Sequence, residues 1–317
     1  MVKIGIVVPQ YGVGIRETNR FVRIAEKLGY YSLWVEDHLT PWQLQQNKSA
    51  FECFTLLSHI ASITKKPRVG TLVTNVIYRH PAILAKSATT IDRISNGRLE
   101  LGLGLGWYED EILSYNLPYP PLKRRIEMLS ELIDYLKKLW TAKGKVSFNG
   151  KYFRLKKAYF NPKPKQKPHP PIIIGTAGEK KMLKLVAEKA NGWNYGALTP
   201  EQFKEKAAIL KKHCENVGRN FSEIEKSLEL YVFIAETSEE AENIKRRYWE
   251  IIPKGEKLQH IIQDFYMKTA LTGTPRDIEE AVKEYAKVGV DHLVLVFPGK
   301  RRFEMMKIFG EKVLPNL

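Results

Sequence analysis

Two hydrophobic rhythms alternate along this chain. Short, nearly continuous apolar runs fall at 3–8, 32–35, 69–76, 99–105, 172–174, 193–195, 228–234 and 292–297. Runs of this length, rich in Val, Ile and Leu, predict strands buried on both faces. Between them the apolar positions take helical spacing. In 15–28, for example, Phe21, Ile24, Ala25 and Leu28 share one face. The same spacing predicts helices over 51–63, 82–94, 122–139, 181–190, 203–217 and 278–288. Gly29, Gly218 and Gly289 stand where three of these helices should stop.

Eight strands alternating with helices predict an α/β fold with a parallel sheet covered by helices. The count favours a closed (β/α)8 TIM barrel over an open sheet. Two insertions lengthen the connections. After strand four, 143–171 holds a hairpin turning at Asn149-Gly150 and then a Pro/Lys-rich stretch. After strand seven, 251–274 forms the second. No repeat or linker interrupts the pattern, so one domain over 1–317 is expected.

Composition narrows the function classes. With 44% hydrophobic residues in 317, the chain can bury a large core. No apolar run approaches the ~18–20 residues of a membrane span. The apolar start, Met1 to Pro9, reads as a first strand rather than a signal peptide. Cys53 and Cys214 offer neither a disulfide framework nor metal-ligand spacing, and the chain reads as cytosolic. Net charge is +16, from 51 Lys+Arg against 35 Asp+Glu. The lysines are spread over helices and loops, which fits a solvated surface of the kind thermophiles carry better than a nucleic-acid face.

Candidate chemistry gathers at the ends of the predicted strands, where parallel α/β folds place their sites. The second strand runs into Glu36-Asp37-His38, with Pro41-Trp42 just beyond. Histidine is the side chain most easily poised for proton transfer near neutral pH. Gly102, Gly104 and Gly106 alternate along the fourth strand, so one face lacks side-chain volume. Gly106, before Trp107, would let a flat ligand approach the backbone. The third strand ends on Asn75, followed by Arg79, which could neutralise an anion or simply pair with a surface carboxylate. Thr176-Ala177-Gly178 leads from a strand into a helix and suits a phosphate. His59, His213 and His260 read as surface or helix residues, and the spacings of zinc proteases, serine hydrolases and P-loops are absent.

Together these residues resemble the bacterial-luciferase-like flavin and deazaflavin oxidoreductases. The markers are Lys3–Pro9, Asp37-His38 with Pro41-Trp42, Tyr78-Arg79-His80-Pro81, the run from Ser95 to Trp107, Pro170-Pro171-Ile172 with Gly175, and Gly192-Trp193-Asn194. The resemblance implies a (β/α)8 barrel, a homodimer, and deazaflavin coenzyme F420 or FMN at the C-terminal face. It also implies a non-prolyl cis peptide at Leu72-Val73 behind the ring. The implied cofactor-binding set is Asp37, Leu72, Val73, Asn75, Gly106, Trp107, Thr176, Ala177 and Gly178.

The Asp-His-x-x-Pro-Trp form looks like the F420 branch, which makes His38 the general acid/base and Trp42 a wall of the reacting centre. Two acidic residues of the glucose-6-phosphate dehydrogenase branch align with Tyr11 and Trp107. A pocket of Tyr11, Trp42 and Trp107 then suits an apolar or aromatic small molecule better than a sugar phosphate. The expectation is hydride transfer with F420. The alternatives are an FMN-dependent monooxygenase and a flavin- or deazaflavin-binding protein without turnover.

Overall fold

The structure is a computed structural model and describes residues 2–41, 48–251 and 264–317. Its centre is a closed parallel barrel. Strands Lys3–Val7, Ser32–Val35, Arg68–Thr71, Leu99–Gly104, Ile172–Gly175, Gly192–Gly196, Glu225–Ile234 and His292–Val296 pair in chain order, and the last returns to the first. The third strand breaks at Leu72-Val73 and resumes as Thr74–Asn75, still paired with the fourth. Closure leaves no open edge among these strands. Strands such as Ser32–Val35 and His292–Val296 are buried at every position, as the continuous apolar runs required.

Helices Ile15–Leu28, Cys53–Ile63, Pro81–Ile94, Leu122–Thr141, Met182–Lys189, Pro200–Asn216, Ser238–Ile251, Pro275–Lys287 and Arg302–Lys312 surround the barrel. Two start three residues before the apolar periodicity does. Thr199 and Thr274 close capping boxes with Gln202 and Asp277, and Pro200 and Pro275 follow as first helical residues. The cap and the fixed φ of proline start those helices, not the apolar face. Gly29 ends the first helix at φ 90°, the left-handed conformation only glycine takes freely.

The hairpin Val146–Asn149 with Arg154–Ala158 lies between the fourth and fifth barrel strands. Between the seventh and eighth, Leu271–Gly273 adds a parallel strand beside Glu225–Ile234. No helix among the described residues is long and apolar enough to cross a membrane.

The N-terminal end of the barrel is closed by a polar relay. Trp34 Nε1 donates to Ser32 Oγ at 2.7 Å, which lies 2.8 Å from His292 Nε2; His292 Nδ1 is 3.0 Å from Glu225 Oε1. Lys3 Nζ donates to the other oxygen of Glu225 at 2.5 Å, and Arg68 pairs with Glu100. Glu100, Glu225 and His292 bring ligand-type atoms within 4.8 Å of one another, but their carboxylates already face Lys3 and Arg68. This end is a structural ion-pair network.

Candidate active site

The opposite, C-terminal end opens into a cavity of about 480 Å³, within the usual range for a small-molecule site. Every barrel strand but the first and the last supplies lining from its C-terminal part or the loop beyond.

One wall is the break in the third strand. The Leu72-Val73 peptide is cis. Val73 fills the space that Gly102, Gly104 and Gly175 leave: a Cβ on each would stand 2.7, 2.6 and 2.8 Å from its methyl carbons. The period-two glycines thus seat one valine, and Leu72 and Val73 face the cavity. Gly106 has φ 72°, and any Cβ there would meet the Asn75 amide at 2.5 Å. Arg125, nearly buried on the Leu122–Thr141 helix, donates to the carbonyls of Gly106 and Leu105. It also lies over the Tyr119 ring, whose hydroxyl reaches the Trp107 carbonyl. Trp107 is therefore carried on a turn fixed from behind.

His38 meets this wall edge-on, its ring centroid 5.6 Å from that of Trp107. Its Nδ1 lies 2.8 Å from Glu111 Oε2. Tyr78 donates to the same oxygen, while Glu111 Oε1 accepts from the amides of Leu39 and Thr40, both at 2.7 Å, and from the Thr40 hydroxyl. Burial opposes both charges. For Glu111 the hydrogen bonds and the charge of His38 win, and its pKa falls below the usual carboxylate value. Burial likewise disfavours the His38 imidazolium, but the hydrogen bond and charge of Glu111, helped by Glu36 and Asp37, hold its pKa above the ordinary value.

Glu111 was not expected from the sequence. Glu109-Asp110-Glu111 looks like a solvated acidic turn, yet it opens the short helix Glu109–Ser114 right after the fourth strand's end. That position was the available signal.

Asp37 accepts both Arg79 nitrogens, at 2.6 and 2.8 Å, and the Asn75 amide at 2.9 Å. Arg79 also pairs with Glu52, the N-cap of the Cys53–Ile63 helix. The two residues brace the ends of strands two and three, and Asp37 still lines the cavity. Thr176 lines it too, while its Oγ1 accepts from the Gly178 amide at 2.9 Å and its amide donates to the Asn194 carbonyl. Ala177 and Gly178 follow in the turn before Met182–Lys189, where Lys206 reaches the Ala177 carbonyl. Tyr11 is buried against Tyr108 in a small cluster with Trp107 and Tyr266. Trp42 lies outside the described residues.

The lining also includes Glu229, from the middle of the seventh strand, and an aromatic arc of Tyr108, Tyr195, Phe265 and Tyr266. Burial, with the nearby charge of Glu36, pushes the Glu229 carboxyl up to about 8, against a hydrogen bond from Tyr266.

An F420-dependent glucose-6-phosphate dehydrogenase of Amycolatopsis mediterranei is 28% identical to this chain over 339 residues, covering 100% of it and 99% of the relative. One from Microbacterium testaceum is 26% identical, covering 96% and 94%. Among solved structures, an F420-dependent secondary alcohol dehydrogenase in complex with an F420-acetone adduct superposes with a TM-score of 0.85 at 22% identity, covering 99% of this chain and 98% of that one. A long-chain alkane monooxygenase superposes at 0.82 with 16% identity, covering 100% and 91%. The structural likenesses establish a common fold. Residues 5–292 match the family described as luciferase-like monooxygenase, and on that match across most of its length the chain belongs to this family.

Proposed function

We propose that the protein is an F420-dependent oxidoreductase acting on a small organic substrate, with His38 as general acid/base. The observation that carries this reading is the His38–Glu111 pair at 2.8 Å, set beside the Leu72-Val73 wall in one cavity. The names of the full-length relatives favour F420 over FMN.

The residues present fit a flat cofactor. Leu72 and Val73 offer a smooth apolar wall, Gly104 to Gly106 leave backbone without bulk, and Asn75 brings an amide to the same face. Thr176, Ala177 and Gly178 would take the phosphate, with Lys206 close by. When bound, F420 supplies a carbon that accepts or donates hydride and reacts poorly with O2.

The chain's own part is proton handling and exclusion of water. Glu111 fixes the Nδ1–H tautomer, so Nε2 is the nitrogen that takes or returns the substrate hydroxyl proton. A raised His38 pKa enlarges the protonated share at neutral pH, which favours proton delivery to a carbonyl oxygen. Trp107, Tyr108, Phe265 and Tyr266 form the walls for an apolar or aromatic body. The described lining holds four carboxylates and no Lys or Arg, which argues against a phosphorylated substrate.

Titration of the purified protein with F420 and, separately, with FMN, followed by fluorescence, tests the reading. Micromolar F420 binding is expected. Micromolar FMN binding without F420 affinity overturns it in favour of a flavin monooxygenase.

A further inference from the structure

We propose that Tyr78 is a positioning residue for proton transfer: its hydroxyl shares one oxygen of Glu111 with the His38 ring and so limits how tightly that carboxylate holds the ring. The inference rests on the reading of His38 as acid/base and concerns what tunes it.

Glu111 is buried, and a carboxylate has room for about four donors. Among the described residues, five converge on it. Oε1 accepts from the amides of Leu39 and Thr40, both at 2.7 Å, and from the Thr40 hydroxyl at 3.0 Å. Oε2 accepts from His38 Nδ1 at 2.8 Å and from the Tyr78 hydroxyl. The donors on Oε1 belong to the loop that carries His38. Tyr78 comes from elsewhere, just past the end of the third strand. Its backbone is held there. Its amide donates to the Asn75 carbonyl at 3.3 Å, the adjacent Arg79 clasps Asp37, and His80 caps the Pro81–Ile94 helix.

Each donor to a carboxylate stabilises its charge and lowers its affinity for a proton. A donor on Oε2 acts most directly on His38, because it draws on the oxygen that receives the Nδ1 proton. Without Tyr78, more of the Glu111 charge would fall to the ring, and the imidazolium would be held more firmly. The phenol stays a donor wherever His38 titrates, since burial and the charges of Glu111 and Asp37 push its own ionisation well above the ordinary tyrosine value. Glu36 and Asp37, on the strand end that carries His38, also favour the imidazolium. Trp107 and Tyr108 pack on the ring and bring no charge. Tyr78 is thus the counterweight: Glu111 fixes the ring, and the phenol keeps it able to give the proton back.

NMR titration of the full-length protein with isotope-labelled histidine reads this without substrate or cofactor. The His38 signal, one of seven, is assigned by its loss in His38→Gln. In Tyr78→Phe the His38 titration should move up by about 0.5–1 pH unit, opposite to the movement in Glu111→Gln. Adding Tyr78→Phe to Glu111→Gln should move it no further, because the phenol acts through the carboxylate. A ring-fluorinated tyrosine at position 78, a stronger donor of nearly the same shape, should move it down; this arm decides should Tyr78→Phe fail to fold. An unshifted or lowered titration in Tyr78→Phe overturns the proposal, as does the same upward shift in the Glu111→Gln background. Kinetics of His38→Ala separates the two readings. Unchanged turnover there removes the acid/base role and leaves the Tyr78 coupling, whereas lost turnover with an unshifted Tyr78→Phe titration removes only the role of Tyr78.

Discussion

His38 and Glu111 are 73 residues apart in the chain, yet Nδ1 of one lies 2.8 Å from Oε2 of the other. Barrel closure makes the pair, since the ends of strands two and four open on one mouth. Glu111 is itself held by the amides of Leu39 and Thr40, so it fixes both the ring and the loop carrying it.

Replacing His38 by Ala should lower kcat by ~10²–10⁴, the usual contribution of a positioned acid/base. Steady-state kinetics with a substrate the wild type turns over checks this. Unchanged turnover would remove His38 from the role.

Glu111→Gln keeps the shape but loses the charge. The His38 pKa should fall toward its ordinary value, because the partner that raises it is neutralised. The pH–rate limb that reports imidazolium should move to lower pH, with kcat reduced roughly 10². A purely structural role would lower kcat without moving the limb.

Gly102→Ala would place a Cβ 2.0 Å from the Thr71 carbonyl oxygen and 2.7 Å from Val73. Overpacking of this kind costs about 1–3 kcal/mol. Urea denaturation should register that loss.

Glu229 should make stability fall as pH rises. Its folded pKa of about 8 lies above the ordinary carboxylate value, so between the two the folded state holds a proton that the unfolded state has released. The wild-type Tm should therefore decline through that window. Glu229→Gln cannot titrate, so its profile should be flatter and the gap largest on the alkaline side.

Glu225 carries the opposite sign. His292 and Lys3 outweigh burial and hold its pKa down to about 2. Its contribution is present above the ordinary carboxylate value and is lost as pH falls toward 2. Glu225→Gln should cost about 1–3 kcal/mol near neutrality and progressively less in acid, measured by thermal unfolding across that range.

The chain's one-dimensional pattern was enough for the barrel. Continuous apolar runs such as Ser32–Val35 must be buried on both faces, and eight of them separated by amphipathic helices have few ways to pack. It also placed His38, Asp37, Asn75, Gly106, Trp107 and Thr176 at strand ends, where all now line one cavity. The alternating glycines showed that volume was missing, although not that Val73 would fill it. Partnerships were beyond that pattern. Whether Arg79 meets a surface carboxylate or Asp37, whether Glu111 is solvated or bound to His38, and whether Glu229 in an apolar strand finds a donor in Tyr266 depend on distances across the closed barrel. Burial then sets the strength of each charge, because the desolvation it imposes and the partners it brings near are properties of the folded chain alone.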